Sequence, residues 1–314
     1  MNNPHTQINP SPVKTWIRLL RIPFLTATII PFVLGAVTAW ASFGVFTLAY
    51  FALAFVGACF LHMGTNVIND YFDFLNGGDA INTEAISPLS GGSRVLLEGL
   101  VKPRSAYFAA LLFYGISLVI GVGLSLAVGW WVLILGVIGA IFGYIYVTRL
   151  APYGVGEFVV GLSFGPLLVL GSYYVQTQQL VFEPIIVSVP IGLLVMAILW
   201  INEFPDYNAD RSIGKKTLVV RVGRKLAADM YLAIILAAYA WSLVMVALGL
   251  MPLFSLMVLF TLPLAVRAIK VARTHYETSR QLVTANVTTI KIQLYFGILM
   301  IVSYMLNHVV SSLR

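Results

Sequence analysis

Charge is what this sequence lacks most. Only 10% of its 314 residues are Asp, Glu, Lys or Arg, against 60% hydrophobic residues and a mean hydropathy of +0.92. A soluble domain carries about a quarter of its residues as charges. A chain this poor in charge cannot build a polar shell, which excludes a soluble globule and makes lipid the solvent for most of its surface. Cysteine is nearly absent too. Cys59, alone inside an apolar run, excludes an intrachain disulfide and any cysteine-based metal site. The opening residues, MNNPHTQINPSPVKTW, lack the charged start and short apolar core of a secretory signal. Residues 1–15 are expected to be a disordered tail, and the first apolar segment to stay as a membrane anchor.

What is present is a series of apolar runs, each near the ~20 residues that a membrane-spanning helix needs. Nine qualify, at about 22–41, 46–69, 105–127, 130–148, 156–176, 184–203, 229–249, 252–271 and 288–310. An all-α, polytopic membrane fold follows, a single domain over 16–314 with no separate soluble unit. Two polar connections are long, about 70–104 and 204–228, and both follow even-numbered spans. In this threading, 18 of the 19 Lys and Arg fall on the side of the N-terminus, and only Arg314 on the other. By the positive-inside rule the N-terminus is cytoplasmic and the C-terminus outside. Of the 12 acids, only Glu183 belongs to the far side. The net charge of +7 is placed between spans and not along a basic stripe, which argues against nucleic acid.

Chemistry is therefore expected on the N-terminal face, where two acidic constellations stand. The first is Asn66-Val-Ile-Asn69-Asp70-Tyr-Phe-Asp73-Phe-Leu-Asn76-Gly77-Gly78-Asp79, closing span 2. At about 100° per residue, Asn66, Asp70 and Asp73 lie within about 60° of one another on one helix face. Such a hard, oxygen-rich set suits Mg²⁺, which takes one or two carboxylates plus substrate phosphate oxygens. Gly77-Gly78 should end the helix and turn the chain toward Asp79. The second is Asn202-Glu203-Phe204-Pro205-Asp206-Tyr207-Asn208-Ala209-Asp210, closing span 6. Asn202, Asp206 and Asp210 are spaced i, i+4, i+8, with Pro205 expected to bend or restart the helix. Lys215, Lys216 and Arg221 follow at once, cations suited to a diphosphate. Facing acid clusters repel unless cations bridge them, and a metal-bound diphosphate supplies those cations. His62, one turn before Asn66, and Glu157, at the start of span 5, are further candidates, because ionisable groups near a span mark function. Tyr144, Tyr146, Tyr173 and Tyr174 could present π faces to a carbocation.

These stretches, NVINDYFDFLNGGD, YGVGEFVVGLSFGPLLVLGSYYVQT and DYNADRSIGKKTLVVRVG, resemble the UbiA superfamily of intramembrane aromatic prenyltransferases. The N-terminal WIRLLRIPFLTATIIPFVLGA adds to the resemblance. More narrowly, these stretches resemble the 1,4-dihydroxy-2-naphthoate polyprenyltransferases of menaquinone biosynthesis. The superfamily's common NDxxDxxxD would put an acid at Gly77. Here the third acid is Asp79, the spacing of the dihydroxynaphthoate branch. That branch's Asn-Asn-x-Arg-Asp is replaced by Asn202-Glu203-Phe204-Pro205-Asp206.

The resemblance implies helices around a central cavity, capped by the two long loops, in the inner membrane of a prokaryotic cell. It implies Mg²⁺ held by Asp70, Asp73, Asp206 and Asp210, and a polyprenyl diphosphate as donor. Asn66, Asn69, Asp79, Arg94, Asn202, Lys215, Arg221 and Tyr146 would contact the substrates, and Glu157 would act on the phenolic proton of an aromatic acceptor. Dihydroxynaphthoate, losing CO₂, is the expected acceptor. 4-Hydroxybenzoate, a tocopherol-type head group or a specialised aromatic are alternatives, and chain length and oligomeric state stay open. A cation-coupled transporter is the alternative of another class, but its acids would sit near midspan, whereas these close helices in pairs.

Overall fold

In the computed structural model, which describes residues 11–87 and 89–313, the chain is all-helical, with no strand among the described residues. Nine helices there are long and apolar enough to cross a membrane. They are span 1 (Ile22–Phe43), span 2 (Leu48–Asn76), span 3 (Pro103–Val128), span 4 (Trp131–Leu150), span 5 (Gly156–Thr177), span 6 (Glu183–Asn202), span 7 (Arg224–Ala247), span 8 (Leu253–His275) and span 9 (Ser279–Ser312). Each matches one of the nine predicted segments. Helices satisfy their own backbone groups, so lipid leaves a bundle of them as the stable solution.

The boundaries differ where polar residues continue a helix. The loop expected from residue 70 begins at Gly77, because span 2 stays helical through Asp70 and Asp73 to Asn76. Gly77, at φ +75°, then caps it, as its lack of a side chain allows. Span 7 likewise starts inside the second predicted loop, at Arg224, and span 9 starts at Ser279, well before 288. Residues 12–15 of the predicted tail belong to an amphipathic helix, Pro12–Leu19, with Ser11 accepting from the Lys14 N–H and Pro12 in its first turn. Residues 1–10 of that tail, and Arg314, lie outside the described residues.

Span 6 is the axle of the bundle. It carries no charge between Glu183 and Asn202, and 72% of its most apolar window is buried, against 6% for span 4, which faces lipid. Spans 5, 7 and 9 pack around it. Contact with span 5 is backbone to backbone: a Cβ on Gly165 would stand 2.8 Å from the Cα of Gly192. Small residues at such crossings allow close approach where no hydrophobic effect drives helices together. Spans 4 and 5 each contain one wide π-helical turn, Tyr146–Leu150 and Ser163–Leu167, a local distortion found mostly at functional sites. These turns aim Tyr146, Ser163 and Phe164 into the cavity described next.

Candidate active site

The first motif rides the last turns of span 2. Asn66 donates to the Leu20 carbonyl at 3.1 Å, tying this helix to the segment before span 1. Asp70 is buried, with both carboxylate oxygens engaged: Oδ1 accepts from Arg21, and Oδ2 from the Ser93 N–H at 3.1 Å. Arg21 reaches it from a left-handed backbone position, φ 51°, between the amphipathic helix and span 1. Beyond Gly77, a short helix Gly78–Ile81 presents Asp79. Burial, with the neighbouring Asp73 and Asp70, pushes the Asp79 carboxyl up to about 7. Gly92, at φ +67°, lies flat against these acids: a Cβ there would stand 2.7 Å from the Asp79 carboxylate.

The second motif is broken where Pro205 foretold. Span 6 ends at Asn202, Glu203 to Asp206 form a turn, and a short helix Tyr207–Ser212 carries Asp210. Asp206 accepts from Asn82 Nδ2 at 2.6 Å, so the loop after span 2 touches the second motif directly. Burial and the adjacent Asp210 nonetheless push its carboxyl up to about 7. Burial also raises Asp210. Lys215 lies between the motifs, its Nζ 3.5 Å from Asp73 and 3.4 Å from Asp210. Burial works against its charge, but Asp73 and Asp210 hold it well above the usual lysine range.

These groups surround one cavity of about 290 Å³. Of the predicted residues, Asn66, Asn69, Asp73, Asp79, Asn202, Asp206, Asp210, Lys215, Tyr146 and His62 line it. Four stand outside. Asp70 is closed behind Arg21, which lines the cavity in its stead. Arg94 approaches the Asn82 carbonyl at 3.5 Å. Arg221 donates to the carbonyls of Lys216 (2.8 Å) and Pro152 (3.4 Å). Glu157 is buried beneath the floor, accepting from the Leu218 N–H at 2.7 Å. Its carboxyl is within hydrogen-bonding reach of Glu203, which does line the cavity, and no other donor satisfies either Glu203 oxygen. Burial and the nearby Glu157 carboxylate hold Glu203 well above the usual carboxylate range.

Sequence reasoning missed Arg21, Asn82 and the role of Glu203 as the cavity's partner to Glu157. Arg21 carried one signal, a lone cation immediately before a span. Asn82 carried none, since its contact bridges 124 positions. His62 is held by Thr28, whose hydroxyl lies 2.7 Å from Nδ1.

A second, apolar cavity of about 550 Å³ lies among spans 2 to 5 and shares Ala58, Leu61, Gly139, Ser163 and Leu168 with the first. A polar, acid-lined chamber thus opens onto an oily one. The carboxyls of Asp79 and Asp206, raised by burial and by the acids beside them, fit a chamber built for cations. No three acids converge on one point among the described residues, so an ion here would take a pair of carboxylates and complete its shell from its substrate.

Residues 28–304 match the UbiA prenyltransferase family. The 1,4-dihydroxy-2-naphthoate octaprenyltransferase of Bacillus subtilis (strain 168) is 29% identical over 294 residues, covering 93% of this chain and 92% of that protein. The enzyme of the same description from Escherichia coli (strain K12) is 32% identical over 256 residues, covering 80% of each. Among solved structures, a UbiA homolog from Archaeoglobus fulgidus bound to GPP and Mg²⁺ shares the fold, with a TM-score of 0.58 at 15% identity over 93% of this chain and 99% of that one. With the family matched across nearly the whole chain, the protein belongs to the UbiA prenyltransferase family and is an intramembrane aromatic prenyltransferase.

Proposed function

We propose that this enzyme transfers a polyprenyl group from its diphosphate to 1,4-dihydroxy-2-naphthoate with loss of CO₂, in a Mg²⁺-dependent reaction of menaquinone biosynthesis. The observation that carries the reading is the meeting of two acid clusters, from separate halves of the chain, across one cavity that continues into an apolar one. The names of the Bacillus and Escherichia relatives support the acceptor, and the GPP and Mg²⁺ complex of the Archaeoglobus homolog supports the metal.

A pair of carboxylates, one from each motif among Asp73, Asp206 and Asp210, would hold the metal, with Asp70 acting from behind through Arg21. When bound, the ion neutralises the diphosphate and makes it a leaving group. Lys215 and Arg21, both lining the cavity, grip diphosphate oxygens, and Asn66, Asn69, Asp79 and Asn202 complete the polar wall. The allylic C–O bond breaks with its electron pair going to the diphosphate. Ser90, Gly91 and Gly92, loop residues that line the cavity, would help exclude water from the cation, and the Tyr146 and Phe164 rings line the cavity beside it. The ring carbon bearing the carboxylate attacks C1 of the cation, and the phenolic proton passes to a carboxylate oxygen of the Glu157–Glu203 pair. CO₂ then leaves, its electron pair returns to the ring, and the pair returns the proton to the ring oxygen. The proton is borrowed and given back, so decarboxylative transfer needs no net base. The isoprenoid tail occupies the apolar cavity.

Purified enzyme with Mg²⁺, a ladder of prenyl diphosphates and carboxyl-labelled dihydroxynaphthoate should release labelled CO₂ and give a prenylated naphthoquinol by mass. Prenylation of 4-hydroxybenzoate with its carboxylate retained, and no reaction of dihydroxynaphthoate, would refute the acceptor assignment. The basic residues gathered on the acid-bearing face support a cytoplasmic position for it. A reporter at Gly99 should then read cytoplasmic and one at the 177–183 turn should not.

A further inference from the structure

Outside the cavity, one carboxylate collects hydrogen bonds from three distant parts of the chain. Glu84, in the loop after span 2, accepts from Asn208 Nδ2 at 2.6 Å, from Ser279 Oγ at 2.6 Å and from Arg224 Nη2 at 3.1 Å. Asn208 belongs to the second acid motif, between Asp206 and Asp210. Arg224 and Ser279 are the first residues of spans 7 and 9. Arg224 donates also to the Phe204 carbonyl at 3.1 Å and lies over the Tyr207 ring at 4.9 Å. The chain from Phe204 to Asn208 is thus gripped on both sides of Asp206.

The same loop makes a second grip two residues earlier. The Glu84 N–H donates to Asn82 Oδ1 at 3.1 Å, which orients the Asn82 amide so that its Nδ2 reaches Asp206. Residues 82–84 therefore act as a clip with two prongs, Asn82 on Asp206 and Glu84 on Asn208. Spans 7 and 9 hold the clip in place through their first residues. Glu84 remains about a third exposed and lines no part of the cavity, so it touches neither substrate nor metal. Yet hydrogen bonds from Ser279 and Asn208 and the charge of Arg224 outweigh its partial burial and keep its carboxyl below the usual range. The carboxylate is wanted there as an anion.

We infer that Glu84 is a positioning residue: through Asn208, Arg224 and the Asn82 amide it fixes the second acid motif at its distance from the first, and so sets the affinity of the site for a divalent cation. The inference rests on the metal reading above. A metal held by paired acids from two motifs depends on the gap between them, because small divalent cations tolerate little change in ligand geometry. Loosening the clip should weaken cation binding while leaving the acceptor pocket, at the Glu203 side, as it is.

The test uses the full-length enzyme in detergent and Mn²⁺ as a spin probe, its free signal read by electron paramagnetic resonance with a prenyl diphosphate present. Glu84→Ala should raise the half-saturating Mn²⁺ concentration about 10-fold, within the range for lost supporting contacts around metal ligands. The KM for the aromatic acceptor should stay unchanged. Glu84→Gln keeps the shape and an acceptor oxygen, and should recover part of the loss. Ser279→Ala removes one spoke and should shift Mn²⁺ binding two- to threefold. Asp229→Asn is the control, since it breaks an exposed ion pair with Arg273 at 2.9 Å between spans 7 and 8, and it should change nothing. Unaltered Mn²⁺ binding in Glu84→Ala and Ser279→Ala, or an equal loss in Asp229→Asn, overturns the positioning role while the metal site stands. Wild-type enzyme that binds no Mn²⁺ overturns the metal site itself and the inference with it.

Discussion

The first acid motif lies on unbroken helix, where Asp70 and Asp73 ride the last turns of span 2, whereas the second is folded over a break between Asn202 and Tyr207. The two also differ in how their charge is met. Asp70 is neutralised within its own half of the chain by Arg21 and the Ser93 N–H. Asp206 accepts from the Asn82 amide, and the cation paired with Asp210, Lys215, is shared with the opposite Asp73. A helix end holds acids rigidly and needs local compensation. A broken chain lets acids be placed by contacts from elsewhere, leaves them short of counter-charge, and makes that side of the cavity the one that responds to an added cation.

Exchange of one acid in each motif should break this comparison open. Asp70→Asn and Asp206→Asn should each cost at least ~10²-fold in rate, since each weakens charge stabilisation worth several kcal/mol. They should part in stability: Asp70→Asn leaves Arg21 without its partner and lowers the melting temperature, whereas Asp206→Asn removes an under-compensated acid and does not. Equal melting temperatures for the two variants would erase the distinction. Next in size is Lys215→Ala, expected to lower kcat/KM by about 10²-fold, as for loss of one preorganised charge contact. Kinetics at saturating and limiting prenyl diphosphate would show whether the loss lies in the diphosphate step.

A pH series sharpens the contrast. Asp79 and Asp206 bind a proton more tightly folded than unfolded, at about 7 against an ordinary 3.8. Their contribution to stability is full below about pH 4 and is lost as pH rises through 7. Thermal unfolding of metal-free enzyme should therefore shift downward between pH 5 and 8, less steeply in Asp206→Asn, and saturating Mg²⁺ should suppress the trend. The smallest effect belongs to Arg221→Ala. Its guanidinium serves the Lys216 and Pro152 carbonyls and not the cavity, so kcat/KM should change less than about 3-fold, the scale of a surface substitution.

The nine spans could be read because lipid imposes a length and a composition on every crossing helix. The acid clusters could be read because acids are so scarce here that two groups of them stand out. Other features left no local pattern. Hydropathy alone ended span 2 near residue 69, because a helix that leaves the membrane looks polar well before it ends; the helical spacing of Asn66, Asp70 and Asp73 and the Gly77-Gly78 stop gave its true end. Arg221 lay in a promising run of cations, but its sequence position says nothing about which way a side chain on a five-residue helix, Leu218–Val222, will turn. Glu84 and Ser279 are 195 positions apart, and Asn82 and Asp206 meet only after spans 3 to 6 have been threaded between them. Such contacts are products of packing, which a single sequence does not display.

Span 9 is 34 residues long, about 51 Å at 1.5 Å per residue, while the hydrocarbon core of a bilayer is about 30 Å thick. Its excess of roughly four turns must stand clear of the acyl chains, and Arg280 and Lys291 put that excess at the end nearest Glu84 and the acid motifs. The proposed reaction would then take place near head-group depth. A lipid-anchored diphosphate already carries its phosphates at that height, with its tail hanging into the leaflet. Capture then becomes sideways diffusion within two dimensions, with no climb out of the membrane and no plunge into it.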